Sequence, residues 1–238
     1  MIRFAEKKDI PYIKELWDIA FGEEPDFNKY FFDNFFKYED TLLYVEEKPV
    51  AMLQMMPYTL NGIGAVTYIY GATTHPDYRK KGLMGKLLKK SFEIDKSRGV
   101  KGSVLIPANQ GLFNYYSKFG YETSSYVDTK VMKSTNELKY TVEKAKIEDL
   151  KSMAEIYNSC SEFFIERNED YFKDQIELFN ALGGEVYVLK DKNIIQSYAF
   201  ISELHPLKIQ EIISKDKKYD QFFINFLINL HCEKFAEV

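Results

Sequence analysis

His75-Pro76-Asp77-Tyr78-Arg79-Lys80-Lys81-Gly82-Leu83-Met84-Gly85-Lys86-Leu87-Leu88 joins a strand pattern to a helix pattern, and this join carries most of the information in the chain. Before it, Val66-Thr67-Tyr68-Ile69-Tyr70 is β-branched and aromatic, which suits a central strand, and Thr74-His75-Pro76-Asp77 ends that strand. After it, Met84, Leu87, Leu88, Ser91, Phe92 and Asp95 share one face of a helix, while Lys86, Lys89, Lys90, Glu93 and Lys96 take the other. Gly99 is placed to close that helix. A helix opening at Leu83 leaves several N–H groups without internal partners and carries a partial positive charge there, so it can hold an anion. Gly82 and Gly85 put no side chain between an anion and the backbone. Arg79, Lys80 and Lys81 raise the local potential in a chain that is acidic overall, with 32 basic and 36 acidic side chains. The pyrophosphate of a nucleotide-like cofactor fits this description. An ordinary strand-to-helix turn with a solvated basic rim fits it as well.

Several function classes are excluded. The Gly-x-x-x-x-Gly-Lys-Ser/Thr loop of nucleoside triphosphatases is absent, and so is the Gly-x-Gly-x-x-Gly turn of dinucleotide-binding folds. A composition 45% apolar and 29% charged is globular, which excludes disordered, collagen-like and disulfide-scaffold chains. The net charge of -4 gives no footprint for a nucleic acid or an anionic membrane. Apolar runs fall short of the roughly 18 residues of a membrane span, and Met1 to Lys8 has no signal-peptide core. The protein is therefore expected in the cytoplasm, with no nucleic-acid or membrane partner. Cys160 and Cys232 read as free thiols in a reducing compartment. With no Cys-x-x-Cys or His-x-x-x-His spacing, no metal site is expected.

The 238 residues allow one to two domains, and an internal repeat argues for two. Asp9-Ile10-x-x-Ile13-x-Glu15-Leu16-Trp17 returns at an offset of 140 as Asp149-Leu150-x-x-Met153-x-Glu155-Ile156-Tyr157, with Ala5 matching Ala145. Each copy reads as a short strand (2–5 and 140–145) followed by an Asp near a helix start, where a carboxylate complements exposed N–H groups. Further on, Leu43-Tyr44-Val45, Glu46-Glu47-Lys48 and Pro49-Val50-Ala51 parallel Val186-Tyr187-Val188, Lys190-Asp191-Lys192 and Ile194-Ile195 as strand, charged turn and strand. Met52, Met55 and Met56 read as core with Gln54 the one polar break. Ser103-Val104-Leu105-Ile106 is expected as a strand buried on both faces, followed by an aromatic helix around 112–116. Ser134-Thr135-Asn136-Glu137 reads as the linker, giving domains at 1–134 and 139–238.

Arg79-Lys80-Lys81-Gly82-Leu83-Met84 resembles the Gln/Arg-x-x-Gly-x-Gly/Ala signature of the GCN5-related N-acetyltransferases (GNAT superfamily), with Met84 where a small residue is usual and Gly85 one step later. Asn109-Gln110-Gly111-Leu112-Phe113-Asn114-Tyr115-Tyr116-Ser117-Lys118-Phe119-Gly120-Tyr121 is similar to the family's Asn-then-seven-later-Tyr element ending in Lys-x-Gly-aromatic. The departure at Met84 looks like the tandem-domain subgroup similar to enhanced-intracellular-survival proteins. The resemblance covers residues 1 to about 130. It implies a mixed α/β fold, with a mostly antiparallel sheet flanked by helices and followed by a degenerate second GNAT-like domain.

The resemblance also implies a role for each matching residue. Backbone groups of Ala72, Thr73 and Thr74 would hold the pantetheine arm and thioester of acetyl-CoA. The backbone of Lys80, Lys81, Gly82, Leu83, Met84 and Gly85, beside Arg79, would hold the pyrophosphate. Asn109 would contact pantetheine, and Tyr116 would give a proton to the leaving thiolate. The acceptor would be a primary amine on a cationic small molecule or a lysine, drawn to the acidic loop Gly22-Glu23-Glu24-Pro25-Asp26. A second reading is a non-catalytic acyl-CoA-binding or regulatory module. The glutamate base of many relatives has no counterpart in Ile69 to Thr74; tandem-domain relatives use a chain-terminal carboxylate, and no third domain is expected after Val238 to carry one into the site. In the second copy, Ser214 to Asp220 offers cations but no glycine, no strand or helix matching 103–116 is expected after a last helix at 222–235, and only the first site should bind cofactor. The second domain would shape the acceptor pocket or serve a homo-oligomer.

Overall fold

The computed structural model describes residues 1–22, 25–126, 129–133, 140–159, 164–233 and 235–238. The chain divides into two compact units, Met1–Tyr126 and Val127–Val238. The stretch read as the linker, 134–139, lies outside the described residues, as do Cys160, Glu23 and Glu24.

The first unit runs β1 (Ile2–Phe4), α1 (Ile10–Phe21), α2 (Pro25–Asn34), β2 (Thr41–Val45), β3 (Pro49–Leu60), β4 (Gly64–Thr74), α3 (Leu83–Ser97), β5 (Ser103–Val104) and α4 (Gln110–Tyr116). Its sheet has the order β1-β2-β3-β4-β5, antiparallel throughout except for the parallel β4–β5 pair. Successive strand residues point to opposite faces, so neighbours in sequence serve different cores. Leu43, Val45 and Met52 pack with Ile13, Leu16 and Trp17 of α1 and Phe31 of α2. Leu42, Leu53 and Met55 pack on the other side with Leu83, Leu87 and Leu88 of α3. The buried positions of α1 fall three and four apart, which is what lays a helix flat on a sheet.

The second unit repeats this order. β7 (Thr141–Lys144), α5 (Leu150–Ser159), α6 (Glu169–Ala181), β8 (Glu185–Asp191), β9 (Ile194–Leu204), β10 (Leu207–Ser214), α7 (Asp220–Leu230) and β11 (Phe235–Glu237) follow β6 (Val131–Lys133), and the sheet order is β6-β11-β10-β9-β8-β7. The repeat extends to single hydrogen bonds. Asp9 accepts the Glu6 N–H at 2.8 Å, and Asp149 accepts the Lys146 N–H at 2.9 Å. Each carboxylate is also paired to a cation, Arg3 at 2.6 Å in one copy and Lys190 at 3.2 Å in the other. The Arg3 guanidinium holds Asp9 below the usual carboxylate range. These aspartates thus fasten the strand-to-helix turn itself, rather than serving the first helical N–H groups alone.

Three expectations change. The last helix stops at Leu230, where His231 caps it and Cys232 turns to a φ of 56°. Phe235 is therefore free to enter β11, which pairs parallel to β10 as β5 does to β4, so the strand expected to be missing is present. In the first unit β5 spans only two residues, and Ile106, placed in a strand buried on both faces, is 81% exposed. β5 is an edge strand that leaves its neighbour after one short contact, so little covers the residues beyond it.

Candidate active site

The ladder between β4 and β5 joins Thr67 to Ser103 and Tyr68 to Val104 and goes no further, although β4 continues to Thr74. Beyond Tyr68 the two strands part, and the outer edge of β4 has no strand partner among the described residues. On the inner edge, Gln54 pairs with Tyr70 and Met52 with Thr73, so two residues of β4, Gly71 and Ala72, face the single Leu53. This is a β-bulge of the kind that places its first residue in the left-handed region, and Gly71 has a φ of +58°. A Cβ on Gly71 would lie 3.0 Å from Trp17 Cζ3. Glycine here serves both the turn of the backbone and the close seat of the indole. An isolated glycine inside a strand pattern was the one sequence signal for the bulge.

β4 ends at Thr74, and the next residue, His75, whose Nδ1 accepts the Asp77 N–H at 3.4 Å, starts a short 3-10 turn over Pro76–Tyr78. His75 is thus a turn residue. Arg79 to Gly82 follow as an exposed loop before α3. Lys80 and Gly82 both take left-handed backbone, with φ of 61° and 73°. Gly82 sits at the N-cap without a side-chain hydrogen bond, and the first turn of α3 holds no acidic residue. The first N–H groups of this helix therefore face outward uncapped beside three cations. Arg79 Nε donates to the Thr74 carbonyl at 3.1 Å, tying the loop back to the strand end, and Lys81 Nζ lies 4.5 Å over the Tyr78 ring.

The two glycines do different work. Nothing lies within 4 Å of a Cβ built on Gly82, whereas one on Gly85 would stand 3.0 Å from the Phe119 ring. The bare side of Gly85 admits Phe119 and is not a path for an anion. Leu83 is buried and Met84 half-buried. Leu83, Met84, Ala72 and Tyr116 meet in one apolar cluster, which brings the end of β4, the start of α3 and the end of α4 together. Tyr116 is 9% exposed, its ring 5.4 Å from Tyr115 and 5.8 Å from Tyr121, and its hydroxyl makes no hydrogen bond to a described residue. Burial pushes the Tyr116 phenol up, with the Tyr115 hydroxyl adding to the shift. Asn109 is exposed and caps α4, its Oδ1 accepting the Leu112 N–H at 3.3 Å.

In the second unit the 3-10 turn Lys217–Tyr219 runs directly into α7 at Asp220. Where Arg79 to Gly82 stand in the first copy, no residues intervene. The second copy therefore has no loop at all, a stronger departure than lysines without a glycine, and Asp220 puts a negative charge on its helix start.

The model of the acetyltransferase (GNAT) domain matches residues 1–124. The chain belongs to the GNAT acetyltransferase family. Among solved structures, a GNAT-like fold covering the whole chain is found in a conserved Enterococcus faecalis protein described as a probable N-acyltransferase (13% identity, TM-score 0.79), in a GCN5-related N-acetyltransferase from Anabaena variabilis (17%, 0.73) and in Eis1 from Mycobacterium abscessus (13%, 0.69). The chain spans 64% of the length of each of these proteins. No curated protein sequence matches it. Among the described residues no helix is long and apolar enough to cross a membrane, and no group of three His, Cys, Asp or Glu side chains is placed to hold a metal ion.

Sequence reasoning missed the other face of this GNAT sheet. Trp17 stacks on Phe31 at 4.2 Å and lies 5.7 Å from Tyr70; Tyr70 stacks on Tyr68, and Tyr68 meets Tyr58. Trp17 Nε1 donates to Asn28 Oδ1 at 2.8 Å, and Asn28 Nδ2 reaches the Gly22 carbonyl, which fastens α1 to α2. The period-two spacing of Tyr68 and Tyr70 was the available signal.

Proposed function

We propose that the first unit transfers an acetyl group from acetyl-CoA to a primary amine, carried by a cationic small molecule or a lysine side chain. One observation carries this reading: the unpaired edge of β4 beyond Tyr68 leads directly into a glycine-hinged cationic loop and an uncapped helix start. A long, flexible arm can add to that edge by backbone hydrogen bonds at Ala72, Thr73 and Thr74, while its diphosphate meets the N–H groups of Lys80 to Gly85. Arg79, Lys80 and Lys81 would supply the charge, and Asn109, at the start of α4, would contact the pantetheine arm. In the reaction the amine nitrogen bonds to the thioester carbon, the C–S bond breaks, and the sulfur takes a proton. Tyr116 is suited to give that proton because its raised phenol stays protonated through the neutral range. A backbone N–H at the bulge would stabilise the oxyanion.

The aromatic face offers electron-rich rings to a cation, which favours a cationic acceptor. The acidic sequence Gly22-Glu23-Glu24-Pro25-Asp26 adds to the same preference. The chain without acetyl transfer, an acyl-CoA-binding module, is favoured by one fact: β4 from Ile69 to Thr74 carries no carboxylate to act as base. Release of free thiol from acetyl-CoA across a panel of amines separates the two. Turnover with cationic amines supports transfer, and tight acetyl-CoA binding without turnover supports the module.

A further inference from the structure

The outer face of α3 carries more positive charge than an anion at the start of that helix requires. Residues 79–101 hold nine Lys and Arg side chains against two acids, Glu93 and Asp95, in a chain whose acids outnumber its bases. Asp95 is buried and accepts the Thr67 hydroxyl at 2.7 Å. Glu93 is thus the one acid on the exposed face of the helix, and it is paired with Lys90 at 2.8 Å. Lys86, Lys89, Lys90 and Lys96 are all exposed. Lys86 lies over the Tyr44 ring at 5.6 Å, while Lys89 and Lys96 have no ion pair among the described residues. The leucines of the same helix, Leu83, Leu87 and Leu88, are turned into the core, so every exposed residue of α3 is polar.

This basic stripe begins at the cationic loop and runs away from it. A helix rises about 1.5 Å per residue, which puts Lys96 about 20 Å along the axis from Leu83. That is farther than the adenosine of a coenzyme A extends when its diphosphate lies at the helix start. A phosphopantetheine arm need not end in a nucleotide. Attached to a small acidic carrier protein, the same arm brings an acidic protein surface to the place where its phosphate is held, and the outer face of α3 lies beside that place. Opposite charges speed such an encounter and fix its orientation. An anionic bilayer fits this face less well, because no exposed apolar residue of α3 is there to enter the lipid. A nucleic-acid duplex matches the charge but has no arm for the open edge of β4.

We propose that the exposed face of α3 docks an acidic carrier protein whose phosphopantetheine arm enters the opening between β4 and β5, so that a carrier-bound thioester serves as acyl donor as well as the free coenzyme thioester. This partner rests on the acetyl-transfer reading. The bonds are the same: the amine nitrogen bonds to the thioester carbon, the C–S bond breaks, and the carrier's pantetheine sulfur takes the proton. The test is fluorescence anisotropy of a labelled acyl carrier protein, acetylated on its arm, titrated with the full chain, with acetyl-CoA titrated in parallel by calorimetry. Saturable carrier binding is expected, weakening at least tenfold between about 0.05 and about 0.3 M salt. Lys89→Glu combined with Lys96→Glu reverses two exposed charges outside the loop. It should weaken carrier binding at least tenfold and leave acetyl-CoA binding within twofold. Should that variant not fold, as read by its unfolding midpoint, Lys89→Gln with Lys96→Gln takes its place. Acetyl-CoA binding without carrier binding, or carrier binding indifferent to these substitutions, overturns the proposal and leaves the acetyl-transfer reading standing. Failure of both donors to bind removes that reading and the proposal with it. A DNA duplex that binds where the carrier does not, and is released by the same charge reversal, overturns the proposal in favour of a nucleic acid.

Discussion

Gly71→Ala tests the bulge against the simplest alternative, that any small residue serves there. Two costs add. A non-glycine residue at a φ of +58° loses roughly 1 kcal/mol to left-handed strain. The new methyl would stand 3.0 Å from Trp17 Cζ3, where carbon contacts prefer about 3.5–4.0 Å. Trp17 cannot retreat, being fully buried and stacked on Phe31 at 4.2 Å. Overpacking of this kind costs about 1–3 kcal/mol. The expected destabilisation is therefore about 2–4 kcal/mol. Gly82→Ala is the control: its φ of +73° brings the strain, but its Cβ meets nothing within 4 Å, so about 1 kcal/mol is expected. Trp17 is the single tryptophan of the chain. Denaturant unfolding followed by its fluorescence thus reports the first unit, and the contact in question, without a signal from the second. If Gly71→Ala costs no more than Gly82→Ala, the indole is not seated on the bulge and the geometry derived for β4 is wrong.

Other outcomes follow from the same arrangement. Tyr116→Phe should lower kcat by about 10²–10⁴ while leaving acetyl-CoA affinity within about twofold, read by steady-state rates and calorimetry. Because burial raises the Tyr116 phenol above the free value of about 10, the donor is present at every lower pH. Loss of rate through this group should thus begin only above about pH 10, and a fall assigned to it near pH 8 would contradict the role. Reversing Lys80 and Lys81 to Glu should weaken acetyl-CoA binding at least tenfold and reduce its dependence on salt, because both side chains are exposed and their contribution is electrostatic. In the second unit the Arg167 guanidinium reaches both oxygens of Glu211 at 2.7 and 2.8 Å and lies 3.8 Å over the Tyr157 ring. Glu211→Ala leaves that cation half of a largely buried pair and should cost about 3 kcal/mol in denaturant unfolding of this unit, followed by circular dichroism.

The parts of this fold that were legible in the sequence are those set by local chemistry. Gly82 and Gly99 frame α3 because only glycine takes both left-handed positions without strain. Asp9 and Asp149 betrayed the duplication because one carboxylate at a fixed spacing fastens the same turn twice. The parts not legible depend on which strands lie side by side. Phe235-Ala236-Glu237 is too short for a pattern, and it becomes a strand only because β10 and β6 offer it edges. The parting of β4 from β5 is likewise a matter of where pairing stops, and no residue type marks it. Gly85 shows a third case. Its spacing from Gly82 suggested an anion cradle, yet the space it leaves is filled by Phe119, a residue 34 positions away. The meaning of a glycine depends on what approaches it.

The first copy of the fold keeps a loop between strand and helix, the second does not, and acetyl-CoA is expected at the first alone. Titration of the full chain with acetyl-CoA, with nuclear magnetic resonance assignment of the perturbed amides, tests it most directly. One equivalent should bind, with the largest shifts at Lys80 to Gly85 and Ala72 to Thr74. Two equivalents, no binding, or shifts centred on 214–220 would contradict it.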